Sequence, residues 1–243
     1  MSESLRVLLD HLIDYAGLFP PAALSMQDAV RNYARYREGS DAWALGRFVV
    51  TRERVKEVPP DFPLSVLGID EVKVSTAAEL EDLRPGTYVE IADVTLLDAI
   101  RSHGLRAKIR TGGITEDAFP TTQAVAEFIR ACADKGVAFK ATAGLHHPLR
   151  CVRPLTYAPD SPKGTMHGFI NVFLAAALPG DAEAILREEE ASAFAFDDEG
   201  ARWRDRRVST DALRAMRRDF ATSFGSCSFE EPLADLRELG WLA

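Results

Sequence analysis

Short runs of β-branched and aromatic residues alternate along the chain with segments whose apolar positions recur at helical spacing, the pattern of parallel βαβ units. Runs that read as strands fall at residues 13–19, 45–50, 64–69, 88–92, 107–110, 137–141, 193–196 and 222–226. Among the helical segments 121–135 is the clearest: Val125, Phe128, Ile129 and Cys132 share one face, and Gly136 stands where a C-cap belongs. Shorter helices are expected at 26–37, 76–83, 95–103, 210–220 and 232–239. Residues 166–178 are almost continuously apolar and predict a buried helix that interrupts the simple alternation. Eight strands with intervening helices predict an α/β fold, a single (β/α)8 TIM-type barrel over residues 1–243. A doubly wound open sheet is the alternative, because two of the strands are weak. Either architecture places ligands at the carboxyl ends of the strands.

Composition narrows the class. The 243 residues are 47% hydrophobic and 27% charged, as a folded chain with a buried core requires. Acidic residues outnumber basic ones, 37 to 29, and the net charge of -8 argues against a nucleic-acid partner. No apolar run approaches the roughly 18 residues that cross a bilayer, and residues 1–10 lack a basic region before an apolar one. The expectation is a cytoplasmic protein without membrane contact, and the sequence leaves a homo-oligomer open. The three cysteines Cys132, Cys151 and Cys227 form no CxxC pair, which predicts reduced thiols rather than disulfides or a thiolate metal site. No linker, repeat or low-complexity segment marks a boundary; Glu188, Glu189 and Glu190 read as a solvated helix face.

The main chemical signal is Lys140, a lysine inside the otherwise apolar strand 137–141. Burial penalises an ammonium and favours a neutral amine able to attack a carbonyl; the competing reading is a lysine paired with a carboxylate or turned outward. On the preceding strand Lys108 and Arg110 share a face, and like-charge repulsion from them would depress Lys140 further. Gly112 and Gly113 either bring backbone N–H groups to an anion or only turn the chain. From Lys108 to Gly144 a lysine-bearing strand, a Gly-marked loop, a helix ending at Gly136 and the run Phe-Lys-Ala-Thr-Ala-Gly follow in order. This order resembles the centre of deoxyribose-phosphate aldolases and, more loosely, other class I aldolase barrels. The resemblance implies a Schiff-base role for Lys140, with Thr142 and Gly144 at matching positions. That family carries a second lysine on the next strand, whereas 193–196 has none and leads into Asp197 and Asp198.

His146 and His147 follow Gly144 and are candidates to move protons. Arg150 and Arg153 are candidates to hold a carboxylate or phosphate, or are plain loop arginines. Gly225, Ser226 and Ser228 lie before the last helix, a place where barrels bind phosphate, although Glu230 and Glu231 put negative charge there. Cys227 reads as an apolar filler rather than a reactive thiol. Asp14 and Tyr15 offer an acid or a hydroxyl, with a structural role preferred for Asp14, and Glu90 calls for an ion pair with Lys108 or Arg110.

The expected function is therefore a lyase of class I aldolase type. Lys140 forms an imine with a small oxo acid or sugar-phosphate carbonyl, Lys108 and Arg110 tune it or hold an anion, and His146 or His147 moves protons. The scheme requires no metal and no organic cofactor. The alternatives are a metal-assisted hydrolase or isomerase using His146, His147 and His167, or a barrel that binds a small phosphorylated or carboxylated molecule without turnover.

Overall fold

A computed structural model describes residues 1–242. Seven strands of a closed barrel come first: β1 (Ile13–Tyr15), β2 (Leu45–Thr51), β3 (Leu64–Leu67), β4 (Glu71–Lys73), β5 (Tyr88–Glu90), β6 (Arg106–Arg110) and β7 (Phe139–Thr142). An antiparallel ribbon, β8 (Cys151–Pro154) with β9 (Lys163–Met166), and a three-stranded sheet, β10 (Phe194–Phe196), β11 (Gly200–Trp203) and β12 (Arg206–Ser209), follow outside it. The last barrel strand is β13 (Ala221–Ser226). The ring runs β1-β13-β7-β6-β5-β4-β3-β2, and every pair in it is parallel. The fold is thus the predicted (β/α)8 TIM-type barrel. The helices are α1 (Glu3–Leu9), α2 (Met26–Glu38), α3 (Leu97–Ser102), α4 (Thr122–Lys135), α5 (Phe169–Ala177), α6 (Ala182–Leu186), α7 (Thr210–Asp219) and α8 (Glu230–Glu238). None is long and apolar enough to cross a membrane.

Alternation along the strands divides the barrel wall into an apolar outside and a charged inside. On β7, Phe139 meets Phe128 of α4 edge to face at 5.5 Å, which turns Lys140 and Thr142 into the lumen. On β6, Ala107 and Ile109 are buried in the apolar core while Lys108 and Arg110 share the lumen side. The α4 helix that covers this wall is capped before its first turn by Thr121, whose hydroxyl accepts from Ala124 N, and after its last by Gly136 in the left-handed conformation.

Four expectations need correction. The strand at 193–196 does not enter the barrel: Asp197 accepts from the backbone N–H groups of Glu199 and Gly200, and this turn folds β10 back onto β11 as a hairpin. The eighth barrel strand is β4 instead. It lies only residues 68–70 beyond β3, in a turn closed by Asp70, which donates its N–H to Val66 O and accepts from Val66 N at 2.9 Å. Parallel neighbours ordinarily need a long crossover; here the chain only sidesteps, and β3 and β4 pair at Leu67 and Glu71 alone. The helix expected at 76–83 shrinks to one 3₁₀ turn, Ala77–Leu80, closed by the reciprocal capping of Thr76 and Glu79. Met166 belongs to β9, so the buried helix starts at Phe169 behind Gly168.

At the carboxyl end of β7 the chain turns through Ala143 (φ 62) and Gly144 (φ 75). A β-carbon on Gly144 would sit 2.8 Å from Gly112 Cα and 2.8 Å from the Phe119 ring. Gly144→Ala therefore should lower stability by about 1–3 kcal/mol through strain and overlap; a denaturant titration with an unchanged midpoint would contradict this packing.

Candidate active site

Six side chains form a line of alternating charge through the barrel. Lys140 Nζ lies 2.7 Å from Asp14 Oδ2 and 2.6 Å from Glu71 Oε1. The other oxygen of Glu71 is 2.9 Å from Lys108 Nζ, which is 3.0 Å from Glu90 Oε2, and Glu90 Oε1 is 3.3 Å from Arg110 Nε. Lys108 and Lys140 are direct neighbours in the β6–β7 register, so without Glu71 between them two ammonium groups would face each other in a dry lumen. Hydroxyls and an amide complete the carboxylates: Ser65 Oγ donates to Glu71, and Ser223 Oγ and the Arg47 N–H donate to Asp14. Lys140 is 2% exposed, and the Tyr88 ring centroid lies 5.5 Å from its Nζ.

This arrangement reverses the protonation expected of Lys140. Burial acts to lower its pKa, but Asp14 and Glu71 outweigh burial and raise it, so the group is an ammonium. Burial likewise pushes Glu71 up, and Lys140 and Lys108 overcome this and hold it down at about 2. The repulsion expected from Lys108 does not arise, because Glu71 takes both cations. Glu90 does meet Lys108 and Arg110, as its position in a strand demanded.

A cavity of about 300 Å³ opens at the carboxyl ends of the strands, with Lys108, Lys140, Glu71 and Arg110 in its lining and Phe19, Pro20, Pro21, Leu155 and Met166 adding apolar wall. Thr142, Gly113 and Gly225 also line it. A larger cavity of about 700 Å³ at the amino-terminal end also reaches Lys140; we place the site at the carboxyl end, where barrels assemble their chemistry from loops. Gly112 lies against the Phe119 ring, which leaves no room for a side chain.

The rim is a second cluster. His146 Nδ1 is 2.8 Å from Glu231 Oε2, and its Nε2 is 3.9 Å from Cys227 Sγ. Burial lowers the His146 pKa, but hydrogen bonds with Cys227 and Glu231 dominate and raise it to about 9. His147 bonds Asp235 at 2.6 Å. His167 donates from Nε2 to Pro120 O, and burial holds it below its ordinary value, hence neutral. Among the described residues no three His, Cys, Asp or Glu side chains converge as metal ligands, so the three histidines do not make the joint site that the metal alternative needs. Arg150 turns to Glu189 at 3.1 Å, and Arg153 lies beside the neighbouring cavity with His147. Ser228 Oγ accepts from Glu231 N and Ser226 Oγ from Ser228 N, so these hydroxyls order the start of α8 and leave Gly225 alone of that loop trio in the cavity lining.

Sequence reasoning missed Glu71 and undervalued Asp14, Cys227 and Glu231. The available signal was charge balance: lysines on two adjacent buried strands demand carboxylates from others. Compared with known proteins, the chain matches no protein-family model and no curated sequence.

Two outcomes follow from the charge line and the rim. Lys140→Met leaves Asp14 without its cation and Glu71 with Lys108 alone and should cost about 3–5 kcal/mol in a denaturant titration, with Lys140→Arg costing less; an unchanged midpoint for Lys140→Met would refute the pairing. For His146 the folded-state pKa exceeds the ordinary 6.5, so its stabilisation is complete below pH 6.5 and lost as pH rises through about 9. The parent protein should lose up to about 3 kcal/mol across that interval, and His146→Gln should lose markedly less; identical pH profiles would contradict the assignment.

Proposed function

We propose that the chain is a carbon–carbon lyase of class I aldolase kind, with Lys140 as the imine-forming group and a small oxo acid or sugar-phosphate carbonyl as substrate. The observation that carries this reading is the position of Lys140 Nζ: in the lining of the carboxyl-end cavity, between two carboxylates at 2.6 and 2.7 Å that can take its proton. The similarity of the Lys108 to Gly144 segment to deoxyribose-phosphate aldolases points the same way.

An ammonium is not a nucleophile, so the reaction begins with transfer of a proton from Nζ to Asp14 or Glu71 as the carbonyl displaces one of these contacts. The amine adds to the carbonyl carbon to give a carbinolamine. His146, protonated at neutral pH, gives the proton with which the hydroxyl leaves as water. The resulting iminium draws electrons from the neighbouring carbon–carbon bond, and a carboxylate of the charge line takes the proton of the substrate hydroxyl as that bond breaks. Arg110, 53% exposed at its side chain and tied to Glu90 through Nε, meets the anionic end of the substrate together with Lys108. The scheme asks for no metal or organic cofactor, and a small metabolite rather than nucleic acid is the partner. Chain location in the cytoplasm belongs to the same proposal.

The test is borohydride trapping with small aldehydes, oxo acids and sugar phosphates, read by intact mass and peptide mapping. One reduced adduct per chain, on Lys140 and missing from folded Lys140→Arg, is expected. No adduct at saturating concentrations of the whole panel, or an adduct on another lysine, overturns the proposal.

A further inference from the structure

The rim cluster contains more than a proton carrier. Cys227 stands in the three-residue link between β13 and α8, His146 in the loop after β7, Glu231 in the first turn of α8, and Tyr157 in the loop between β8 and β9. Their polar atoms converge: Cys227 Sγ to His146 Nε2 is 3.9 Å, His146 Nδ1 to Glu231 Oε2 is 2.8 Å, Tyr157 OH to Glu231 Oε2 is 3.3 Å and Tyr157 OH to Cys227 Sγ is 3.8 Å. Ionised Glu231 can only accept, so Nδ1 carries the hydrogen of that bond, and Nε2 is the nitrogen that exchanges a proton with the thiol. Nucleophile, base and orienting carboxylate thus stand in the order that activates a weak nucleophile. Both Cys227 and His146 line the carboxyl-end cavity. The other two cysteines lack such a setting. Cys132 sits on the apolar face of α4, where burial pushes its thiol up to about 12.

We propose that Cys227, His146 and Glu231 form an acyl-transfer site that takes the ester of a small carboxylic acid. His146 Nε2 already holds the proton of the Cys227 thiol, and the sulfur bonds to the ester carbonyl carbon. The carbonyl π bond breaks to an oxyanion and re-forms as the bond to the alkoxy oxygen breaks, and that oxygen leaves as the alcohol with the proton from His146. Water then attacks the S-acyl carbon while His146 takes its proton; the carbonyl re-forms as the carbon–sulfur bond breaks, and the carboxylic acid leaves while the proton on His146 is shared again with the sulfur of Cys227. Only ester and water are consumed. Apolar wall from Leu155 and Met166, with Arg110 in the same lining, suits a short acid with an anionic tail.

The probe is 4-nitrophenyl acetate, followed by nitrophenolate release and peptide mapping. A burst of one nitrophenolate per chain with acetyl on Cys227 is expected, while Cys151 in the same sample stays unmodified as the internal reference. His146→Gln should slow acetylation by about 100-fold, and Glu231→Gln should slow it less. Equal labelling of Cys227 and Cys151, or His146→Gln reacting as fast as the parent, overturns the proposal. The reference within the parent chain keeps the result readable even if a variant fails to fold. Acetyl on Cys227 and a borohydride adduct on Lys140 are read separately on the parent chain, so failure of the imine reading and failure of this one are told apart.

Discussion

The barrel is organised around charges that cannot be left alone. Asp14, Lys140, Glu71, Lys108 and Glu90 are all buried, and Arg110 closes the line at the mouth. In a low-dielectric lumen an isolated ion costs several kcal/mol, and only strict alternation of sign with near-contact distances offsets that cost. The three carboxylates come from β1, β4 and β5 and the three cations from β6 and β7, so the line holds only if the strands keep their register. Charge pairing and barrel closure are therefore one constraint. The short sidestep from β3 to β4 has a reason in this light, since it delivers Glu71 to the centre of the line.

The same constraint shapes the chemistry. Lys140 rests as a stabilised ammonium, and any reaction at its nitrogen must begin by moving a proton along contacts already in place. A substrate that brings its own anion to Lys108 or Arg110 would compete for the carboxylates and loosen their hold on Lys140. In the proposed reaction binding and activation are linked through one shared set of ion pairs, in which Glu71, bonded to both lysines, is the hub. The rim is electrostatically separate from this line: His146 answers to Glu231 and Cys227, both at the α8 end of the barrel. Both proposed reactions draw on one cavity, whose lining holds Lys140, Cys227, His146 and Arg110.

Legibility followed sequence distance. Lys140, Lys108 and Arg110 stood out because a charged residue inside a short apolar run breaks a local pattern, and α4 was legible from its spacing, cap and terminal glycine. The strand at 194–196 was misplaced because an apolar run reads the same in a barrel and in a hairpin, and only Asp197 closing its turn separates them. Glu71 escaped notice because β4 has three residues, too few for any periodicity. Cys227 looked like filler because its two partners, His146 and Tyr157, come from the loop after β7 and the loop between β8 and β9.

By itself, then, the sequence determined the alternation of strand and helix, the barrel class and the lysine-bearing walls, since periodicity and capping act within a few residues of each other. Tertiary structure alone decided the protonation of Lys140 and the pairing of Cys227 with His146. Both depend on groups far along the chain: Asp14 lies 126 positions from Lys140 and Glu71 lies 69. Burial would have lowered the lysine's pKa; those two carboxylates, brought within hydrogen-bond distance only when the barrel closes, raise it instead.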